Sequence, residues 1–307
     1  MPNKRSCRKF QLELKRVQDN PNRIRHIRQT NKLCLVAVKQ NGLALQYVRN
    51  QIQKICLEAI YSNPFALQYI QNQTPEICLA AVKQNGWALE HVKIQTPEIC
   101  LAAVKRNASA LYYVQNQTPE ICLAAIKRDG LTLTFVKTQT PEICLVAVKR
   151  NGLILEYVQN QTPEICLVAV KQRGLALKYV KTQTPEICLA AVQKNGLALK
   201  YVKTQTPEIC LKAVKRNGLA LKYVKTQTPE ICLVAVKRNR KAYAYVQNQT
   251  CIFDNIPFRS YYIEQKCGIP CKSLEKRRQA WSVLHMLNKY LPTLPNECMR
   301  HICLRIN

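Results

Sequence analysis

Histidine is nearly missing from this chain. Four stand in 307 residues, His26, His91, His285 and His301, and no nucleophile–base arrangement can be named from them. There is no glycine-rich phosphate loop and no pair of carboxylates placed for acid–base work. The sequence therefore names no reaction class, and a non-catalytic protein without cofactor or metal is expected. No apolar run approaches the ~18 residues of a membrane-crossing helix. Residues 1–28 are polar and basic, without the apolar stretch of a secretory signal. An intracellular, reducing setting is the expectation, with thiols kept free. Acidic residues are also short: 18 Asp and Glu against 47 Lys and Arg, a formal charge of +29. Such an excess attracts polyanions and equally keeps a long apolar stack from self-association. Both readings stay open.

Cysteine is abundant, and its placement is the most informative feature. Cys34, Cys56, Cys78, Cys100, Cys122, Cys144, Cys166, Cys188, Cys210 and Cys232 lie 22 residues apart without an insertion. Every repeat therefore occupies the same slot as its neighbours, which defines a stacked array. Stacked helices advance by roughly 10 Å, whereas a disulfide needs Cα atoms within about 7 Å. The ladder cysteines should not bond to one another. One cysteine per layer without histidine neighbours cannot gather the four ligands of a zinc site, so the ladder reads as small core residues.

The unit Thr74–Gln95 shows the local logic. Thr74, Pro75 and Glu76 form a helix start: a hydroxyl cap, a proline whose missing N–H costs nothing there, and a carboxylate at the positive helix end. Ile77, Cys78, Ala81 and Val82 then make an apolar stripe. Asn85-Gly86 reads as a left-handed stop, followed by a second helix over about Trp87–Lys93. The unit is thus a helix of roughly ten residues, a tight turn and a helix of seven or eight, and neither is stable alone. An all-α solenoid of about ten helix–turn–helix repeats follows. Leu197-Ala198-Leu199-Lys200-Tyr201 alternates like a strand, which keeps a β/α leucine-rich-like solenoid as the alternative, although the asparagine ladder usual there is missing. Residues 1–29 read as a basic cap, 30–249 as ten repeats and 250–307 as a helical cap or tail.

Runs such as ICLAAVKQNG and NQTPEICL resemble the tandem repeats of unknown function found in mimivirus-type giant viruses and some intracellular bacteria. The resemblance covers about residues 30–250. It implies a helical-repeat protein of a host-cell cytoplasm or virus factory, and no catalytic residues.

Two basic ladders are candidate surfaces. Lys83, Lys105-Arg106, Lys127-Arg128, Lys149-Arg150, Lys171, Lys215-Arg216 and Lys237-Arg238 share one position, while Lys93, Lys137, Lys181, Lys203 and Lys225 share another. They suit a polyanion or an acidic partner, or else a solvated edge. The tyrosines Tyr157, Tyr179, Tyr201 and Tyr223 are expected to pack between layers.

In the C-terminal piece, Cys267, Cys271, His285, Cys298, His301 and Cys303 have the residue types of a zinc site at spacings too loose to specify one. Leu294-Pro295-x-Glu297, with Met299 and Ile302, resembles the opening of an F-box helix and the F-box-like tail of poxviral ankyrin-repeat proteins. That resemblance implies recruitment of a cullin-type ubiquitin ligase, although the rest of an F-box is absent and an amphipathic cap explains the same residues. The expected function is a monomeric scaffold or adaptor for a protein partner, without membrane insertion. The alternatives are a ligase substrate adaptor and a nucleic-acid-binding array.

Overall fold

The computed structural model describes residues 4–247. Over that range ten-residue α-helices alternate with six-residue 3-10 helices, beginning with the longer helix Lys4–Asp19. No strand occurs among the described residues. The chain is an all-α repeat solenoid, and the β/α alternative is excluded there. Two compact units partition it, Met1–Ala169 and Val170–Asn307.

Each α-helix starts as the sequence dictates. In Pro75–Gln84 the Thr74 hydroxyl accepts from the Ile77 N–H at 3.4 Å, and Pro75 holds the first position. Ile77, Cys78, Ala81 and Val82 are buried, joined by Ala88, Leu89 and Val92 from the second segment. Burying this many apolar side chains per repeat, at about 25 cal/mol per Å², holds together helices too short to persist in isolation.

The turn differs from the expected left-handed stop. Asn85 is extended, at φ −145° and ψ 113°. Its N–H still donates to the Ala81 carbonyl at 2.9 Å, and its side-chain oxygen accepts from the Trp87 N–H at 3.1 Å. One residue ends the first helix and caps the next. The second segment, Gly86–His91, is a 3-10 helix shorter than the seven or eight residues expected. Its tighter winding also accounts for the strand-like alternation. With about three residues per turn, Leu199 and Val202 fall on one face and are buried, as is Ala198 beside them.

The glycine after that asparagine serves close approach and not a positive φ. A Cβ on Gly86 would overlap the Ala103 carbonyl oxygen of the next repeat and lie 2.9 Å from the Asn107 Cβ. The bare backbone lets the Gly86 N–H donate to the Asn107 side chain at 2.8 Å.

A glutamine at each repeat junction joins neighbouring layers. The Gln73 amide donates to the Leu67 carbonyl of its own repeat (3.1 Å) and the His91 carbonyl of the next (2.8 Å). Its oxygen accepts from the Lys93 N–H at 2.9 Å. Gln117 repeats the pattern on Leu111, Phe135 and Lys137. In the second unit Gln205 bridges to the Tyr223 carbonyl (2.8 Å) and the Lys225 N–H (3.0 Å). The carbonyls and N–H groups reached in the next repeat lie at the ends of the 3-10 helices, so the side chain gives partners to peptide groups that leave regular structure there. A glutamine ladder thus takes the place that the asparagine ladder has in leucine-rich repeats.

Candidate interaction surfaces

Among the described residues no group of three or more His, Cys, Asp or Glu could hold a metal ion. The ten ladder cysteines lie buried, and the Sγ of Cys100 sits 3.5 Å from the Gln95 side-chain oxygen as a weak donor. Burial raises the pKa of the nine thiols from Cys34 to Cys210 above the ordinary 9.0. Such groups are poor nucleophiles. A thiol that holds its proton more tightly when folded contributes stability below pH 9, and that contribution is lost as pH rises through the folded pKa. Ellman's reagent is therefore expected to leave these thiols untouched in the folded protein at pH 8. The denaturation midpoint should fall as pH climbs above 9.

The first basic ladder lies in the last turns of the α-helices, and Lys83, Lys105, Lys127, Lys149, Lys171, Lys215 and Lys237 are all exposed. In two of the pairs the second residue turns toward the preceding repeat. Arg106 donates through Nε to the Gln84 carbonyl at 3.0 Å, and Arg150 to the Lys127 and Arg128 carbonyls. These arginines satisfy carbonyls left unpaired at helix C-termini. The guanidinium groups of Arg128, Arg216 and Arg238 donate no hydrogen bond and form no ion pair among the described residues. In the second unit Arg216 and Arg238 join Lys194 around an open cleft of about 580 Å³, floored by Asn195, Asn217 and Asn239. In the first unit Arg106 and Arg128 line a similar cleft of about 560 Å³ with Trp87 and Asp129.

The second ladder is largely occupied. Lys93 Nζ donates to the Gln71 carbonyl (2.9 Å), Lys137 to Gln115 (2.9 Å), Lys203 to Lys181 (3.0 Å) and Lys225 to Lys203 (3.1 Å). Each ammonium ties its own repeat to the one before.

The tyrosines lie at the ends of the 3-10 helices, half-buried or exposed. Beside them runs a third set of lysines that the sequence reading passed over. Lys178 lies 5.2 Å from the Tyr179 ring centre, Lys200 5.7 Å from Tyr201, and Lys222 6.0 Å from Tyr223 and 5.8 Å from Tyr245. At the same position the first unit carries Gln46, Gln68, Glu90, Tyr112, Thr134 and Glu156.

An aromatic patch on the first unit was also passed over. Trp87 packs edge-on against Tyr113 at 5.8 Å, Tyr113 against Tyr112 at 5.2 Å, and Tyr112 against Phe135 at 5.6 Å. Tyr112 is 64% exposed, Leu131 52% and Trp87 37%. Tyr113 is the anchored member. Desolvation raises its phenol pKa, as do the Glu90 charge and a hydrogen bond to that carboxylate. The signal was present in the sequence as departures from the repeat: Trp87 where leucine is usual, and Tyr112 where the residue varies. Leu294, Pro295, Glu297 and Ile302, and the cysteines and histidines near them, lie outside the described residues.

The family described as "Domain of unknown function (DUF4116)" matches this chain at residues 53–95, 74–118, 162–205, 184–228 and 206–249. Each match spans two consecutive repeats, so the family's unit is a pair of these layers. No curated protein and no solved structure matches the chain.

Proposed function

Because the chain belongs to the family described as "Domain of unknown function (DUF4116)", whose description names no chemistry, we propose its role from its own surface: a non-catalytic scaffold that docks a protein partner on the first unit. The observation that carries this is the exposed patch of Trp87, Tyr112 and Leu131 beside a cleft holding Arg106 and Arg128. Tryptophan and tyrosine are the residues most often found to dominate binding energy at interfaces, because each brings a large rigid face and a polar edge. The adjoining arginines favour an extended segment that carries carboxylates next to its apolar side chains. On this reading the protein works as a monomer inside a host cell, in its cytoplasm or a virus factory, where the ladder thiols stay reduced.

A photo-crosslinking residue at Leu131 of the full chain should capture one protein from host lysate, in amounts unchanged by nuclease. Trp87→Ala with Tyr112→Ala is expected to weaken that partner by roughly 100-fold, the scale of two interface anchors. Capture that survives both substitutions would rule the patch out.

The Leu294-Pro295-x-Glu297 run supports a second, finer reading in which a captured target is handed to a cullin-type ligase. Replacing Leu294, Pro295 and Glu297 by alanine should then remove ligase components from the captured material while the target remains bound.

A further inference from the structure

The two units carry different surfaces on equivalent segments. Residues 170–247 hold sixteen lysines and arginines against three acidic residues, all glutamates, whereas residues 4–169 hold twenty-two against eleven acidic residues. The three glutamates, Glu186, Glu208 and Glu230, all lie in the first turns of α-helices, so none is on a 3-10 helix. The 3-10 face of the second unit is thus free of carboxylates among the described residues. It presents Lys178, Lys200 and Lys222 at successive repeats, each exposed and each next to a half-buried tyrosine. At the start of the same 3-10 helices, Lys194, Arg216 and Arg238 line the 580 Å³ cleft. Lys203 and Lys225 follow at their ends. The result is a strip with cations along both edges and with Leu197, Leu219, Tyr201 and Tyr223 between them.

We propose that this strip, on the 3-10 face of residues 170–247, binds single-stranded nucleic acid, with phosphates on the lysines and bases stacked on Tyr201 and Tyr223. The pairing of a cation with an aromatic face at each step is the arrangement that sequence-tolerant single-strand binders use. An acidic protein would use the charges but has no need of a ring at every step. A duplex would reach the charges but would keep its bases stacked on one another. The lysine–tyrosine pairs also fit exchange. A cation over an exposed ring is only weakly held, so an arriving phosphate draws the ammonium away and bares the ring face for a base. The strip is independent of the aromatic patch on the first unit, and either can stand if the other falls.

The test is fluorescence anisotropy of the full chain with a labelled 20-nucleotide oligo-dT, the corresponding dA·dT duplex and a labelled poly-glutamate peptide. Measurements at several salt concentrations compare Lys178→Gln/Lys200→Gln/Lys222→Gln with Lys105→Gln/Lys127→Gln/Lys149→Gln, which removes the same charge from the first unit. The single strand should bind at least tenfold more tightly than duplex or peptide. The second-unit triple should weaken it by roughly 100-fold at low salt and flatten the slope of log K against log salt by about 2, as three single-strand phosphate contacts require. The first-unit triple should change affinity less than about fivefold. Tyr201→Leu with Tyr223→Leu, which keeps the apolar volume, should cost roughly another tenfold without altering the salt slope. Equal losses from the two lysine triples would overturn the proposal in favour of general charge attraction. Binding of peptide or duplex as tight as the single strand would overturn it too, as would no measurable binding at 50 mM salt.

Discussion

Replacing Gln205 with methionine is expected to destabilise the second unit by about 3 kcal/mol, more than a surface position of this exposure would suggest. Methionine keeps the length and most of the volume, so packing is nearly conserved. What goes are two bonds to the backbone of the next repeat, from the amide to the Tyr223 carbonyl and from the Lys225 N–H to the side-chain oxygen, and a weak one from Cys210 Sγ to that same oxygen. Each stranded peptide group costs about 1–3 kcal/mol where water cannot fully replace the lost partner. Gln205→Glu should be nearly as damaging, since a carboxylate can still accept from Lys225 but has no hydrogen to give Tyr223. Urea denaturation would give the size of the loss. Amide hydrogen exchange would give its place, with Lys225 losing protection first. A loss below about 0.5 kcal/mol, the ordinary surface value, would mean that water substitutes freely and that the ladder is incidental.

The second large effect is expected at Gly86. Changing it to valine places branched carbon against the Ala103 carbonyl and Asn107 of the following repeat. Overpacking of this kind costs about 1–3 kcal/mol, and separating the layers also weakens the bond from Gly86 N–H to the Asn107 side chain. A loss of about 3 kcal/mol is expected for Gly86→Val and roughly half of that for Gly86→Ala. The alanine value is the smaller because the array already contains the exception. Ala108 and Pro64 stand at the same position in other repeats, so the layers can give way by a methyl group. Differential scanning calorimetry of the two variants would order them. An alanine variant more stable than the parent would mean that helix propensity outweighs contact here.

Much of this architecture was legible in the residues. The Thr-Pro-Glu start, the stripe of Ile77, Cys78, Ala81 and Val82, and the burial of the cysteines follow from capping chemistry and the helical period, which are local. What sequence reasoning missed depends on neighbours. Asn85-Gly86 carries the dipeptide of a left-handed turn, yet its conformation is set by the next layer, where Ala103 leaves room for hydrogen alone. Nothing local marks Gln73 and its equivalents, because their partners sit 18 and 20 positions further on. The candidate surfaces divide in the same way. Lys105 and Lys127 could be placed as exposed from the helix alone. That Arg106 is spent on the Gln84 carbonyl while the Arg216 and Arg238 side chains have no such partner among the described residues could not be read from identical letters. Departures from the repeat were the better guide: Trp87, Tyr112 and the lysines at 178, 200 and 222 are where one layer differs from another.

The asparagine that closes one helix and opens the next leaves no spare residue at the turn, and the glutamine that joins the layers reads main-chain atoms and the invariantly spaced cysteine. Lengthening a repeat by a single residue would therefore break both connections, whereas gaining or losing a whole unit of 22 would rebuild every one of them with the next copy in line. Such a gene can change its copy number by unequal exchange and still encode a stackable chain. The number of layers, and with it the length of surface on offer, can therefore change without any junction being rebuilt from new residues.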